Sequence, residues 1–392
     1  MRRCISVAER RARLAVRHRL SPACQAENPL EVADSLVALH GTDPASVYLS
    51  AAARFQKPTV GAIEKALYEE RSLVRMLGMR RTIFVVPTEL APVVQAACTN
   101  AIAVKQRQLN NAIFCNAGFA DDVDAWIRDV EASTLRALQR RGEATALELA
   151  LDEPRLKQQI RLAPGKPYEA LQSVSTRVLF VLSAEGYIVR ARPKGSWISG
   201  QFRWSPIDRW LRGGLPALPI ADAQTELVRR WLHAFGPGTV ADLRWWSGLT
   251  AAEVHRAVKR LDTVDVDLDG APALLLAEDV EPPPAPEPWI ALLPALDPTP
   301  MGWSSRDWFL GEYAPSLFDR SGNVGPTVWC DGRIVGGWAQ RKSGEIVFRL
   351  LEDIGREALG RVEAAAEALR VWIGSVRVTS RFRTPLEREL SA

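Results

Sequence analysis

Apolar positions along this chain recur with helical spacing and then switch to alternation, and they do so in three places. The sharpest instance is 235–277. Thr239 with Asp242 and Thr250 with Glu253 are capping pairs, so two short helices are predicted, with Gly248 at the turn between them. The stretch TVDVDLDGAPALLLA then alternates about Asp269-Gly270, the pattern of a β-hairpin. Helix, turn, helix and hairpin is the order of a winged helix.

Looser versions of that order occur twice earlier. Helical runs at 30–39, 45–55 and 60–70 precede strand-like runs at 73–78 and 82–86, with Met79-Arg80-Arg81 at the turn. Further on, helical patterns at 121–140, 145–151 and 168–184 lead to a strand at 187–191. A basic turn at Pro193-Lys194-Gly195 and a return strand at 196–199 complete that unit. A proline-rich acidic linker, EDVEPPPAPEP, closes the third unit. Beyond it, strands are predicted at 289–294 and 325–335, with a hairpin turn at Asp331-Gly332 and a helix at 356–370. The expected fold class is α+β: winged-helix units at 1–98, 99–215 and 216–280, then a C-terminal β-rich domain at 281–392.

Composition narrows the chemistry. The 392 residues are 47% hydrophobic and 24% charged, those of a soluble globular chain. Net charge is only +4, so any nucleic-acid role must rest on local clusters. Five scattered cysteines (Cys4, Cys24, Cys98, Cys115, Cys330) fit a reducing, cytoplasmic setting. The Arg-rich N-terminus does not read as a secretory signal, and no run has the length of a membrane span. Four histidines without metal-ligand spacing argue against zinc. No Gly-rich phosphate loop and no Gly-x-Ser-x-Gly elbow is present, so neither metal nor nucleotide cofactor is expected.

Basic residues do cluster at the predicted hairpins. Arg75, Arg80 and Arg81 surround the first; Arg190, Arg192, Lys194 and Arg203, interleaved with Trp197 and Trp204, surround the second. Arg256 and Lys259 lie on the second helix of the third unit. Arg320 and Asn323 flank a Gly-rich loop suited to close backbone approach. These positions are read as contacts to duplex DNA, against the plain alternative of solvated charge.

The candidate catalytic feature is the corner in LVALHGTDPASVYLSAAAR, 36–54. One reading is a helix joint: His40 ends a helix, Gly41 supplies a left-handed residue, and Asp43 caps the next helix ahead of Pro44. The other has His40, Thr42 and Asp43 orient a water in a cleft. N7-alkylation makes a purine a cationic leaving group, so a protein need only position water and stabilise the developing sugar cation. A cap can still present one oxygen, so the two readings are compatible.

This corner resembles the catalytic segment of winged-helix DNA glycosylases of the AlkZ/YcaQ type, in which a Gln-x-Gln or Gln-x-Asp pair follows the same apolar helix. LLPALDPTPMGW at 292–303, LFDRSGNVGPTVWCDGRIVGGW at 317–338 and FRTPLEREL at 382–390 are similar to further stretches of that family. The resemblance implies tandem winged helices and a C-terminal β-rich domain around a DNA channel, with excision of N7-alkylpurines and unhooking of interstrand crosslinks as the activity. It also implies a nucleoid-associated protein acting on alkylated or crosslinked double-stranded DNA. His40 and Thr42 stand where the family has its pair, and Thr is the weaker acceptor. A glycosylase with altered lesion preference and a non-catalytic DNA-binding protein (regulator or lesion sensor) both remain open. No dimerisation heptad is present, and a monomer is expected.

Overall fold

A computed structural model describes residues 2–163 and 165–392. The chain opens with a two-residue strand, β1 (Arg3–Cys4), and the amphipathic helix Val7–Arg17, whose first turn is capped by Ser6. The helix Pro29–Ser35 is followed by β2 (Leu39–His40), the helix Pro44–Ala52, and the hairpin β3 (Leu73–Gly78) and β4 (Thr82–Pro87). These strands form one sheet in the order β2-β4-β3. His40 therefore does not end a helix. The backbone turns left-handed at Val37 (φ 63°) after the helix has stopped, and His40 pairs with Phe84 in the sheet. Gly41 is not left-handed either. It is needed because a Cβ there would lie 3.0 Å from Arg75 Nη1 and 3.3 Å from the Ile83 carbonyl.

An unbroken helical run from Ala91 to Asn116, with a π turn at Gln95–Thr99, passes through the expected boundary at 98. It leads into the helices Val123–Arg141 and Ala146–Asp152 and an extra hairpin, β5 (Gln159–Leu162) and β6 (Ala170–Ser173). After the helix Val174–Ala184 comes β7 (Ile188–Pro193), which returns as β8 (Phe202–Pro206) rather than at 196–199. Trp197 is a plug instead. It is buried, with ring centroids 5.3 Å from Tyr48 and 5.7 Å from Trp372.

The third unit has the expected local structure. Both capping boxes form, on the helices Val240–Ser247 and Ala251–Val258, and Gly248 is left-handed at φ 77°. The hairpin β9 (Thr263–Leu268) and β10 (Ala271–Leu276) turns through Asp269 and Gly270, both at positive φ. Unforeseen is β1, which adds to β9 in parallel, so the chain's start completes the third hairpin. After the linker, β11 (Ile290–Leu293), β12 (Thr327–Cys330), β13 (Arg333–Gln340) and β14 (Ile346–Leu350) form an antiparallel sheet, covered by the helix Arg356–Ile373.

One continuous core joins the first and third regions to the C-terminal sheet, while the middle helices pack on a smaller core of their own. Across the large core runs a fully buried ion pair. Arg54 donates to both Asp297 oxygens, at 2.8 and 2.6 Å. Its remaining donors reach the Ser50 carbonyl, the His18 carbonyl and Thr299 Oγ1. Thr299 also hydrogen-bonds His18 Nδ1 at 2.8 Å, and the His18 ring bonds the Ala234 carbonyl at 3.1 Å. Three separate chain segments thus meet at one guanidinium, and a fourth joins them through the His18 ring. Arg54→Ala would leave Asp297 charged, buried and unpaired, and is expected to lower unfolding free energy by about 3–5 kcal/mol in a denaturant titration. A loss under about 1 kcal/mol would show that the pair does not hold these segments together.

Candidate functional site

The corner after β2 presents its polar residues in different directions. Asp43 caps the helix Pro44–Ala52, its Oδ1 accepting from Ala45 N at 3.1 Å. Its Oδ2 accepts from Arg381 N at 2.9 Å, in the C-terminal segment. Both oxygens are engaged, and Asp43 lines a separate cleft of 20 Å³. Capping is as expected, but no oxygen is left for the cleft that His40 faces. Thr42 is half-buried and does not line that cleft.

His40 is the corner side chain that does. It borders a polar cavity of 310 Å³ together with Arg80, Trp245, Arg306 and the loop Ser321-Gly322-Asn323. The ring is 7% exposed and packs edge-on against Phe84 at 5.3 Å. Its Nδ1 has no hydrogen-bond partner among the described residues. Burial first, and the Arg80 charge second, push the imidazole down to about 3, so the ring is neutral at physiological pH.

The cations around it are held by ring faces. Arg80 sits at the β3–β4 turn in a left-handed conformation (φ 52°), with its guanidinium 4.1 Å above Trp245. Arg306 lies 4.7 Å from the same indole and 4.9 Å from Phe318, and donates from Nε to the Trp303 carbonyl. Burial lowers Arg306 to about 10, still protonated near neutrality. Asn323 is fixed by Asp319, which accepts from its backbone N and from Nδ2. Asp242 anchors the opposite wall by accepting from Ser304 N and Oγ. The cavity is therefore a rigid, cationic, hydrogen-bonding recess.

The structure brings together His40, Arg80 and Asn323 from the sequence-predicted set at this cavity, and places the rest elsewhere. Arg75 is 2% exposed and donates to the Gly41 carbonyl, so it braces the corner from inside and has no reach to a phosphate. Arg81 bonds Gln106 at 2.6 Å. Arg192 pairs with Glu64 and Glu69, and Arg203 lies near Glu143 and Glu148. Lys194 stands 3.5 Å from Glu148, and Arg190 is stacked against Phe202 and Trp204. Arg256, Lys259 and Arg320 are exposed. Sequence reasoning missed Arg306, Trp245 and Met301. The segment 292–303 and the paired tryptophans of a capped helix were the signals available for two of them. Among the described residues, no group of His, Cys, Asp and Glu is placed to hold a metal, and no helix is long and apolar enough to cross a membrane.

Comparison with known proteins decides the lineage. A family model described as DNA glycosylase AlkZ-like matches residues 33–372. The chain belongs to the AlkZ-like DNA glycosylase family. Among solved structures it is similar to Streptomyces sahachiroi DNA glycosylase AlkZ, at 19% sequence identity and a TM-score of 0.71. That likeness covers 96% of this chain and 99% of the other. No curated protein sequence matches at a significant level. The AlkZ-like match spans β2, the corner and the 292–303 segment, so the His40 cavity lies wholly within the shared region.

The depressed His40 imidazole has a measurable consequence. Unfolded, it takes up a proton as pH falls below about 6.5. Folded, it stays neutral down to about 3. The unfolded state binds more protons between these values, so folding stability falls with pH across that window. Relative to His40→Gln, the wild type should lose about 1.4 kcal/mol per pH unit below about 6.5, read from denaturant unfolding at pH 7, 5.5 and 4.5. A gap between the two proteins that does not change with pH would contradict the buried neutral ring.

Proposed function

We propose that this protein is a monofunctional DNA glycosylase that hydrolyses N7-alkylated purines from duplex DNA, with His40 orienting the attacking water. The observation that carries this reading is a neutral, largely buried imidazole in the wall of a cavity that Arg80 and Arg306 also line. In the reaction, the C1′–N9 bond breaks and its electron pair leaves with the cationic base, which departs neutral. Water oxygen bonds to C1′, and its proton passes to solvent. An imidazole this weakly basic is a poor proton acceptor but a good hydrogen-bond acceptor. Its role is to place the water's lone pair against C1′. Arg80 and Arg306 are cations suited to the flanking phosphates, which in turn lie close to the developing sugar cation. Thr42, half-buried on the same corner, is assigned no proton; Asp43 sets the backbone of the corner as a cap.

The recess favours lesions left within the helix. Its one indole is already covered by two guanidiniums, so no aromatic slot is open to sandwich a flipped base. Bulky and crosslinked N7-alkylpurines are therefore within the proposed substrate range. The three helix-and-hairpin units are read as tandem winged helices presenting the duplex to this recess, with the protein acting as a monomer. Exposed Arg256, Lys259 and Arg320 are assigned to outlying phosphates.

The test is base release from a duplex carrying 7-methylguanine, scored as abasic sites by alkaline cleavage. His40→Ala is expected to lower the single-turnover rate about a hundredfold while duplex affinity stays within about twofold. His40→Gln, which restores an amide acceptor, is expected to keep most of the rate. Because His40 does not titrate near neutrality, the wild-type rate should be flat from pH 5.5 to 8. Tight duplex binding with no base release by the wild type would instead establish a DNA-binding protein without this chemistry.

A further inference from the structure

The β7–β8 hairpin carries three arginines in contrasting surroundings. Arg192 meets Glu64 at 2.6 Å and Glu69 at 3.2 Å, and Arg203 lies 3.7 Å from Glu143 and 3.9 Å from Glu148. Arg190 makes no ion pair and no side-chain hydrogen bond among the described residues. Its guanidinium instead lies 5.5 Å from the Phe202 ring and 5.4 Å from Trp204. Arg75 rests 4.7 Å from the same Phe202 ring, and its Nε and Nη2 are buried without partners. One phenyl ring therefore serves two guanidiniums, and neither has a carboxylate.

Arg190, Phe202 and Trp204 border a cavity of 770 Å³ to which Lys157, Lys194 and Arg381 also contribute. Glu148 is the acidic residue in its wall, 3.5 Å from Lys194, and it makes no pair with Arg190. It accepts from Thr145 N at 2.7 Å and Thr145 Oγ1 at 2.9 Å in a capping box, which holds it down at about 2. Burial, followed by the charges of Arg75 and Arg381, lowers Arg190 to about 10, so it is still charged at neutral pH. A half-buried guanidinium without a counter-ion loses hydration, and ring faces offset only part of that cost. They also leave its N–H groups unoccupied, which a carboxylate would not.

We propose that this cavity is a preformed phosphodiester site that takes one backbone phosphate of the DNA strand crossing the His40 corner. Arg75 holds the Gly41 carbonyl and Arg381 N holds Asp43, so the site abuts the corner directly. A phosphate on Arg190 and Arg381 would fix the strand on one side of His40, while Arg80 and Arg306 hold it on the other. The choice of DNA as the phosphate's source rests on the proposed glycosylase function; the cavity's demand for an anion does not.

The experiment is duplex binding by fluorescence anisotropy across a salt series, with undamaged DNA and the full chain. Arg190→Gln and Lys157→Gln are each expected to weaken binding severalfold, up to about tenfold, and to reduce the salt slope by about 1. Lys157 is exposed, so its variant keeps the proposal testable if Arg190→Gln fails to fold. Arg370→Gln, on the C-terminal helix and paired with Glu367, removes the same charge and should change neither quantity. A neutral methylphosphonate, moved one linkage at a time, should weaken the wild type at one position and leave Arg190→Gln indifferent there. Equal responses of both proteins at every linkage would overturn the proposal. Pyrophosphate binding by calorimetry that needs Arg190, with no duplex binding, would make this a small-anion site and overturn the strand assignment. Arg190-dependent duplex binding without base release would leave this site standing and remove the glycosylase reading alone.

Discussion

The structure is organised around the buried pair of Arg54 and Asp297. Each is fully excluded from solvent, and together with Thr299 they bond His18, Ser50 and one another. A lone charge at this depth would be prohibitive, so each partner requires the other. The consequence reaches the site. Arg54 lies just past the end of the helix that Asp43 caps, and Asp297 lies within the segment that carries Met301 to the cavity wall. Ser46, on the same helix, adds a bond to the Ala295 carbonyl at 2.7 Å. The two walls of the His40 cavity are thus fixed relative to each other by one bidentate contact and its neighbours.

A second regularity concerns how this chain holds its cations. At solvent-facing positions arginines meet carboxylates, as Arg229 meets Glu226. Around the corner they meet rings: Arg80 and Arg306 on Trp245, Arg75 and Arg190 on Phe202. Aromatic faces orient a guanidinium without neutralising it. The result is a local positive field in a chain whose net charge is only +4, concentrated where a polyanion would pass His40. The same field helps keep the imidazole neutral, which suits a residue that holds water rather than a proton.

The sequence made some of this legible and hid the rest for definable reasons. The third helix-turn-helix and its hairpin were readable because two capping boxes and Asp269-Gly270 are local devices that need no distant partner. The second hairpin was misregistered because Trp197 looks like strand but serves as a plug between Tyr48 and Trp372, both remote in sequence. The corner looked like a helix end because 36–40 is apolar enough for either state, and the left-handed turn at Val37 has no side-chain signal. Arg75 read as exposed because charge predicts exposure. Its burial depends on Phe202 and on the Gly41 carbonyl. Arg306 joins the His40 cavity only through tertiary packing, which no local pattern reports.

The central claim is that His40 holds a water against the anomeric carbon in a cavity preformed by the Arg54–Asp297 frame. The most direct measurement is a crystal structure of the protein on a duplex carrying a cationic abasic analogue, which mimics the sugar after base departure. The account predicts an ordered water within hydrogen-bonding distance of the His40 imidazole and in line with the C1′ position, with Arg80 or Arg306 on a neighbouring phosphate. A complex in which the abasic sugar lies away from this cavity, or in which His40 contacts neither water nor DNA, would contradict it.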